Sequence, residues 1–208
     1  MANTTFSGAV RSKGGFTSIS ENSSTGAIST LSSISSTGVS SFDANTLATE
    51  AGTGITGGTG TIYRSSEQRV GGIITTRILI DLTGLRSTAS GDIIGVNGTS
   101  NVCHIGQITA AQNGTILTGS MECFEAPTGG DPDINVHSAT EGTGVEDGAI
   151  SSLAETLLVN AGDATLGSKV YFTAVPAADE FLYLTLGDTT DADYTAGKLF
   201  IELMGYAA

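Results

Sequence analysis

A chain of 208 residues carrying 21 acidic against 8 basic side chains, a formal −13, is long enough to bury a core without covalent staples. It is too acidic to neutralise phosphates, so nucleic acid is excluded as a partner class. No run of eighteen apolar residues exists to cross a membrane as a helix, and two cysteines exclude a disulfide-dense scaffold. The charge is unevenly spread. Up to Arg86 there are six basic and five acidic residues, net +1; beyond it only Lys169 and Lys198 face sixteen acids, net −14. Such an acidic body repels copies of itself and stays soluble at high density.

Residues 1–60 differ from the rest. Phe6 and Phe16 are spaced aromatic anchors, and residues 26–60 are mostly Ser, Thr, Gly and Ala with little hydrophobic alternation. Alone, such a segment buries too little to offset its ordering entropy. The expectation is therefore an extended N-terminal arm, ordered against a neighbour by strand addition. Gly52-Thr53-Gly54-Ile55-Thr56-Gly57 matches a dinucleotide-binding pattern by letter, but no hydrophobic strand precedes it and no helix is expected after it. The body is expected over 61–208. Its first clear strand lies within 72–85, with Ile78, Ile80 and Leu82 on one face and Arg77, Asp81 and Thr83 on the other.

Asn97-Gly98 and Asn113-Gly114 between apolar runs signal hairpins, because both residues accept the positive φ of a tight turn. They predict an antiparallel meander through residue 124. Residues 126–148 read as a loop with a short extended piece at Ile134-Asn135-Val136. The stretch 151–159 is the one expected helix, capped by Ser151 or Ser152 and ended by Gly162. Three strands then close the chain, at 169–175, 181–186 and 198–204, each rich in aliphatic and aromatic residues and bounded by Pro or Gly. The last is expected inside a sheet. The fold class is mainly β: an antiparallel two-sheet sandwich of the jelly-roll kind, with the N-terminal arm and at most one short helix.

Little here carries catalysis. Cys103 and Cys123 read as two buried thiols or a cross-strand disulfide. Neither they nor His104 and His137 stand at metal-ligand spacing, and no nucleophile motif accompanies the histidines. Asp188, Asp191 and Asp193 in one loop form a weak calcium candidate, opposed by the simpler reading of a solvated turn. Asp131 with Asp133, and Glu141 with Glu146 and Asp147, carry the same ambiguity. No enzyme activity and no cofactor are expected. Met1 to Thr5 has no basic-then-apolar leader, so secretion is not expected.

The opening Thr4-Thr5-Phe6-Ser7-Gly8-Ala9-Val10-Arg11-Ser12-Lys13-Gly14-Gly15-Phe16, continued by Ser18-Ile19-Ser20 and Thr25-Gly26-Ala27-Ile28, resembles the start of small virion structural proteins of marine tailed bacteriophages, cyanophages among them. Ala196-Gly197-Lys198-Leu199-Phe200-Ile201-Glu202-Leu203 is similar to their closing strand. The resemblance spans about thirty residues at the two ends, and departs from the family pattern at Ala9 and at Lys13-Gly14. It implies a head decoration (cement) protein, made in the host cytoplasm and carried on the capsid surface of the virion. It implies the major capsid protein as partner, with self-association as a trimer or dimer. Phe6, Arg11, Lys13 and Phe16 are then the expected capsid-binding residues, and removing residues 1–20 should abolish binding while leaving a folded body. The competing expectations are a tail, knob or fibre-associated virion protein, and a secreted carbohydrate-binding or calcium-dependent β-sandwich module.

Overall fold

The computed structural model describes residues 16–21, 28–34, 40–41, 47 and 49–207. The chain divides into two compact units, 1–44 and 45–208. In the first, β1 (Phe16–Glu21), β2 (Ile28–Ile34) and β3 (Ser40–Ser41) form an antiparallel sheet in that order. Where the composition suggests a single extended arm, these segments pair with one another.

The second unit starts sixteen residues earlier than the change in composition at residue 61 suggests. Leu47 and Ile55 are the cause: both are fully packed into the core of this unit. Its strands are β4 (Ile62–Val70), β5 (Ile73–Asp81), β6 (Arg86–Ser87), β7 (Gly106–Gln107), β8 (Thr115–Thr128), β9 (Ile134–Ala139), β10 (Glu155–Val159), β11 (Lys169–Tyr171), β12 (Phe181–Leu186), β13 (Ala192–Asp193) and β14 (Ala196–Tyr206). One sheet runs β11-β8-β14-β5-β4 and the other β10-β9-β12-β7, while β6 and β13 make a small two-stranded ribbon. All pairings are antiparallel.

This order is that of a jelly roll. The partners β5–β14, β7–β12, β8–β11 and β9–β10 are the two halves of one long hairpin, with its tip between β9 and β10. Wrapping that ribbon on itself distributes alternate pairs to the two sheets. The closing strand lies inside the five-stranded sheet, between β8 and β5, as its apolar composition requires. β14 alternates strictly: Leu199, Ile201 and Leu203 are fully buried, and Lys198, Phe200 and Glu202 are not. Ile78, Ile80 and Leu82 repeat the pattern on and just after β5.

The four-stranded sheet is covered on both sides. Ile134, Val136, Leu182, Leu184 and Leu186 share one face, turned to the interior between the sheets, and all are buried. Asn135, His137, Tyr183 and Thr185 share the other face, yet they too are buried. Irregular chain forms a third layer there. The Tyr183 hydroxyl donates to the Glu141 carbonyl at 2.7 Å and accepts from the Gly144 N–H at 3.2 Å. Ile94 N–H donates to Leu184 O and Ile105 N–H to Leu182 O, so the chain before β7 continues that sheet edge.

Three local expectations are corrected. Residues 151–159 are not a helix: a single 3₁₀ turn (Ile150–Ser152) leads into β10, whose pairing with β9 supplies the backbone bonds that a helix would have made. Tertiary pairing overrides a weak local preference here. Neither Asn-Gly pair makes a hairpin. Asn113 ends a four-residue helix, α2 (Ala110–Asn113), capped by Thr109 Oγ1, and Gly114 leaves it at φ 68°. Positive φ suits a helix end as well as a hairpin. Gly98 turns at φ 68°, but Val102 pairs with Val145, not back across the turn. Finally, a second four-residue helix, α1 (Thr53–Thr56), lies where none is expected. The Gly-rich letters around it serve close packing: a Cβ on Gly52 would stand 2.1 Å from Val102 O, and one on Gly54 2.3 Å from Cys103 Sγ. Among the described residues no helix is long and apolar enough to cross a membrane.

Candidate functional site

The register of the five-stranded sheet fixes what its outer face carries. Phe200 stands opposite Glu122 on β8 and Leu79 on β5; Glu202 stands opposite Ser120 and Arg77; Lys198 stands opposite Glu125 and Asp81. An irregularity in the pairing at Lys198 lets both Phe124 and Glu125 reach this face. Phe124 stacks on Phe200 with ring centroids 5.1 Å apart and planes 9° from parallel. Phe124 remains 47% exposed, as do Tyr171 at 66% and Tyr206 at 48%, with Met204 at 40% between them. Apolar groups of this size on an open sheet are the expensive observation, since a pleated strand turns either polar or apolar groups outward with equal ease.

Between the rings run ion pairs. Arg77 Nε meets Glu202 at 2.9 Å and its guanidinium also bonds Gln68 at 3.2 Å. Lys169 reaches Glu122 at 3.4 Å and lies 5.9 Å over the Tyr171 ring. Lys198 bridges Glu125 and Asp81. Burial pushes the Asp81 carboxyl up, but two hydrogen bonds from Thr83 together with the Lys198 ammonium outweigh it and hold the group below its ordinary value. Arg64 lies on the same face, its guanidinium on the Tyr63 carbonyl at 2.7 Å. Three cations (Arg77, Lys169, Lys198) thus meet four carboxylates (Asp81, Glu122, Glu125, Glu202), and Arg64 on its carbonyl makes the charges four of each sign. The face is neutral on a chain of −13. Two shallow hollows mark it: one of about 510 Å³ at Phe124, Glu125, Ala126, Leu166 and Lys198, and one of about 230 Å³ between Thr118, Ser120, Tyr171 and Met204.

The acidic loops gather elsewhere. Arg86 binds Asp191 at 2.8 Å and Asp193 at 2.9 Å, which spends two of the three suspected calcium ligands on a guanidinium. Beside it Glu146 and Asp147 complete a polar cleft of about 440 Å³. Burial raises the Glu146 carboxyl, which accepts from Gly98 N–H at 3.2 Å. Asp188 stands apart, near Asp131, Asp133 and Asp163. Burial first, then the three neighbouring carboxylates, raises Asp133. Asp131 is a structural tie, accepting from the backbones of Asp133 and Thr190 at 2.9 Å each. Among the described residues no group of three or more His, Cys, Asp or Glu is arranged to hold a metal ion.

The remaining singled-out residues are core. Cys103 and Cys123 are buried and unpaired; burial pushes the Cys103 thiol up to about 12 and that of Cys123 in the same direction. His104 is buried against Phe181 at 4.9 Å and Tyr183 at 6.4 Å, and burial lowers its pKa. His137 Nδ1 pairs with Glu155 at 2.8 Å. Phe6, Arg11 and Lys13 lie outside the described residues, and Phe16 is the first residue of β1.

The aromatic face was not singled out from sequence. Its signal was present in β14 as the i, i+2 series Lys198, Phe200, Glu202, Met204, Tyr206, but its partners Phe124, Arg77 and Lys169 come from three other strands. No protein-family model, curated protein or solved structure matches this chain.

Proposed function

We propose that this is a bacteriophage capsid decoration (cement) protein, which binds the outer surface of the head shell through its N-terminal segment and the open face of the five-stranded sheet. The observation that carries the reading is that face: neutral and aromatic on a body that is otherwise strongly acidic. Net charge opposes indiscriminate aggregation in solution, while a charge-balanced patch with stacked rings lets the protein pack closely against a shell without self-repulsion. A jelly roll alone does not select this role, since it serves capsid and lectin domains alike. The resemblance of both chain ends to phage virion proteins favours the capsid side. The major capsid protein is the partner this reading names, met by Phe6, Arg11, Lys13 and Phe16 along with the sheet face.

A tail, knob or fibre-associated role shares the same support at the chain ends and differs in where the protein sits. The calcium-dependent module has less support, because Asp191 and Asp193 neutralise Arg86. The test is to mix the purified protein with heads that lack it. Saturable binding over the whole shell, with greater resistance of the heads to heat or low salt, is the expected result. Binding at a single vertex moves the protein to the tail class, and no binding overturns the proposal. Removing residues 1–20 should abolish the binding and leave a folded body.

A further inference from the structure

The jelly roll has four sheet edges, and three are short, broken or covered. β11 is three residues long. β10 breaks register between Leu157 and Val159 and its Leu158 carbonyl is taken by Thr173 N–H. β7 is two residues long, and the chain at Thr49 and Gly52 bonds along its outside. The fourth, β4, is different. Its nine residues pair with β5 without one irregularity, it holds no Pro and no Gly, and among the described residues no other backbone bonds to it. A long, regular, open edge is a template for strand pairing, and natural proteins usually blunt it.

We propose that β4 pairs antiparallel with β4 of a second copy of this chain, about a two-fold axis at Ser66, joining two five-stranded sheets into one of ten strands. The inference does not depend on the virion reading. The register follows from the pleat. A two-fold axis normal to the sheet keeps each face on its own side, so it must pass through a residue position; a one-residue slip would reverse the faces. Centring on Glu67 sets that carboxylate against itself. Centring on Ser65 leaves Arg69 and Val70 unpaired and sets Ile62 against Gln68. Centring on Ser66 pairs all nine residues: Ile62 with Val70, Tyr63 with Arg69, Arg64 with Gln68 and Ser65 with Glu67, each twice. No like charges stand opposite one another. The two exposed apolar residues of the strand, Ile62 at 45% and Val70 at 69%, cover each other at both ends.

Glu67 supplies a second, independent indication. Its side chain is only 1% exposed; Oε1 takes Arg69 Nε at 2.8 Å, and Oε2 is buried without a partner. A buried carboxylate oxygen with no donor is costly. In this register Ser65 of the second copy is the residue opposite Glu67, and its hydroxyl, which donates to Glu50 at 3.4 Å on the free chain, has to turn from Glu50 to reach that oxygen. The Arg64 guanidinium, which covers the Tyr63 carbonyl on the free chain, turns aside to Gln68 of the second copy when the strands meet.

The test uses the full chain alone, without heads. Sedimentation equilibrium should give twice the 20.9 kDa chain mass, or a multiple built from that pair. I62K/V70K sets ammonium against ammonium twice and should weaken the pair at least tenfold; I62K/V70E, which sets opposite charges together, should restore it. Both sites are exposed, so circular dichroism should show each variant folded. Ser66→Cys should cross-link to a dimer under mild oxidation, because opposed residues of paired strands have Cα atoms about 4.5–5.5 Å apart. Ser65→Cys should not cross-link. The native thiols Cys103 and Cys123, being buried, stay silent. A monomer at all concentrations, an oligomer indifferent to I62K/V70K, or cross-linking at residue 65 and not at 66 would each overturn the proposal.

Discussion

The two sheets of the body use similar residues under opposite conditions. The four-stranded sheet is enclosed between the other sheet and a layer of loops, so β9 is buried at all six positions, including Asn135, His137 and Ser138. The five-stranded sheet is covered once, so β14 alternates and half its side chains face outward. Some buried polar groups in the first find partners within the fold, His137 with Glu155 and Asn135 Oδ1 with Ala161 N–H at 3.3 Å, while the Ser138 and Thr185 hydroxyls are buried without one. Exposed apolar groups in the second make few contacts among the described residues, the Phe124–Phe200 stack and Lys169 over the Tyr171 ring being the ring contacts there. The enclosed sheet carries stability, and the open one offers a surface.

That contrast can be broken most directly by truncation. Leu184→Ala, at 0% exposure in the enclosed sheet, should cost about 2–5 kcal/mol in denaturant unfolding. Phe200→Ala should cost about 0.5–1.5 kcal/mol, the worth of a stacked aromatic pair with little burial. Equal losses would mean that the open face is as structural as the closed one. Acid sharpens the difference next. His104 is buried with its pKa lowered, so the folded state binds its proton more weakly than the unfolded chain. Stability should therefore fall as pH drops below the ordinary histidine value of 6.5, until the folded-state pKa is passed. His104→Leu should flatten that fall in pH-dependent melting; an unchanged slope would place the sensitivity elsewhere.

Smaller effects follow at the loops and thiols. Asp133 has a raised pKa, so the folded state holds its proton more tightly than the unfolded chain, and the carboxylate is a liability above that range. Asp133→Asn should raise the melting temperature at pH 7, with the gain vanishing as the solution is acidified through the carboxylate range. A loss at pH 7 would instead point to a structural bond to the charged form. The Cys103 thiol, pushed up to about 12, should be inert to a thiol reagent until the protein unfolds. Rapid native labelling would show that the core around it opens.

What could be read in the sequence was what depends on local period and punctuation. The strands at 181–186 and 198–204 fell where aliphatic runs met Gly and Pro, and Ile78, Ile80 and Leu82 turned inward as alternation requires. The strand count pointed to the jelly roll, which the order of pairing then fills in. What could not be read depends on residues distant in sequence. β10 is a strand because β9 lies beside it, and Asn113-Gly114 ends a helix because Asn113 Nδ2 is bonded to Thr76 at 2.8 Å. The aromatic face needed the register of β8, β14 and β5 together, so single side chains such as Phe124 and Arg77 looked unremarkable on their own.

The central claim is that the open face of the five-stranded sheet docks on a head shell. The most direct measurement is the number of copies bound to heads lacking the protein, for the wild type and for Phe124→Ser/Phe200→Ser. The account predicts saturable wild-type binding over the shell, and at least tenfold weaker binding by the double variant with its jelly roll intact by circular dichroism. Binding of the double variant at wild-type strength would contradict it.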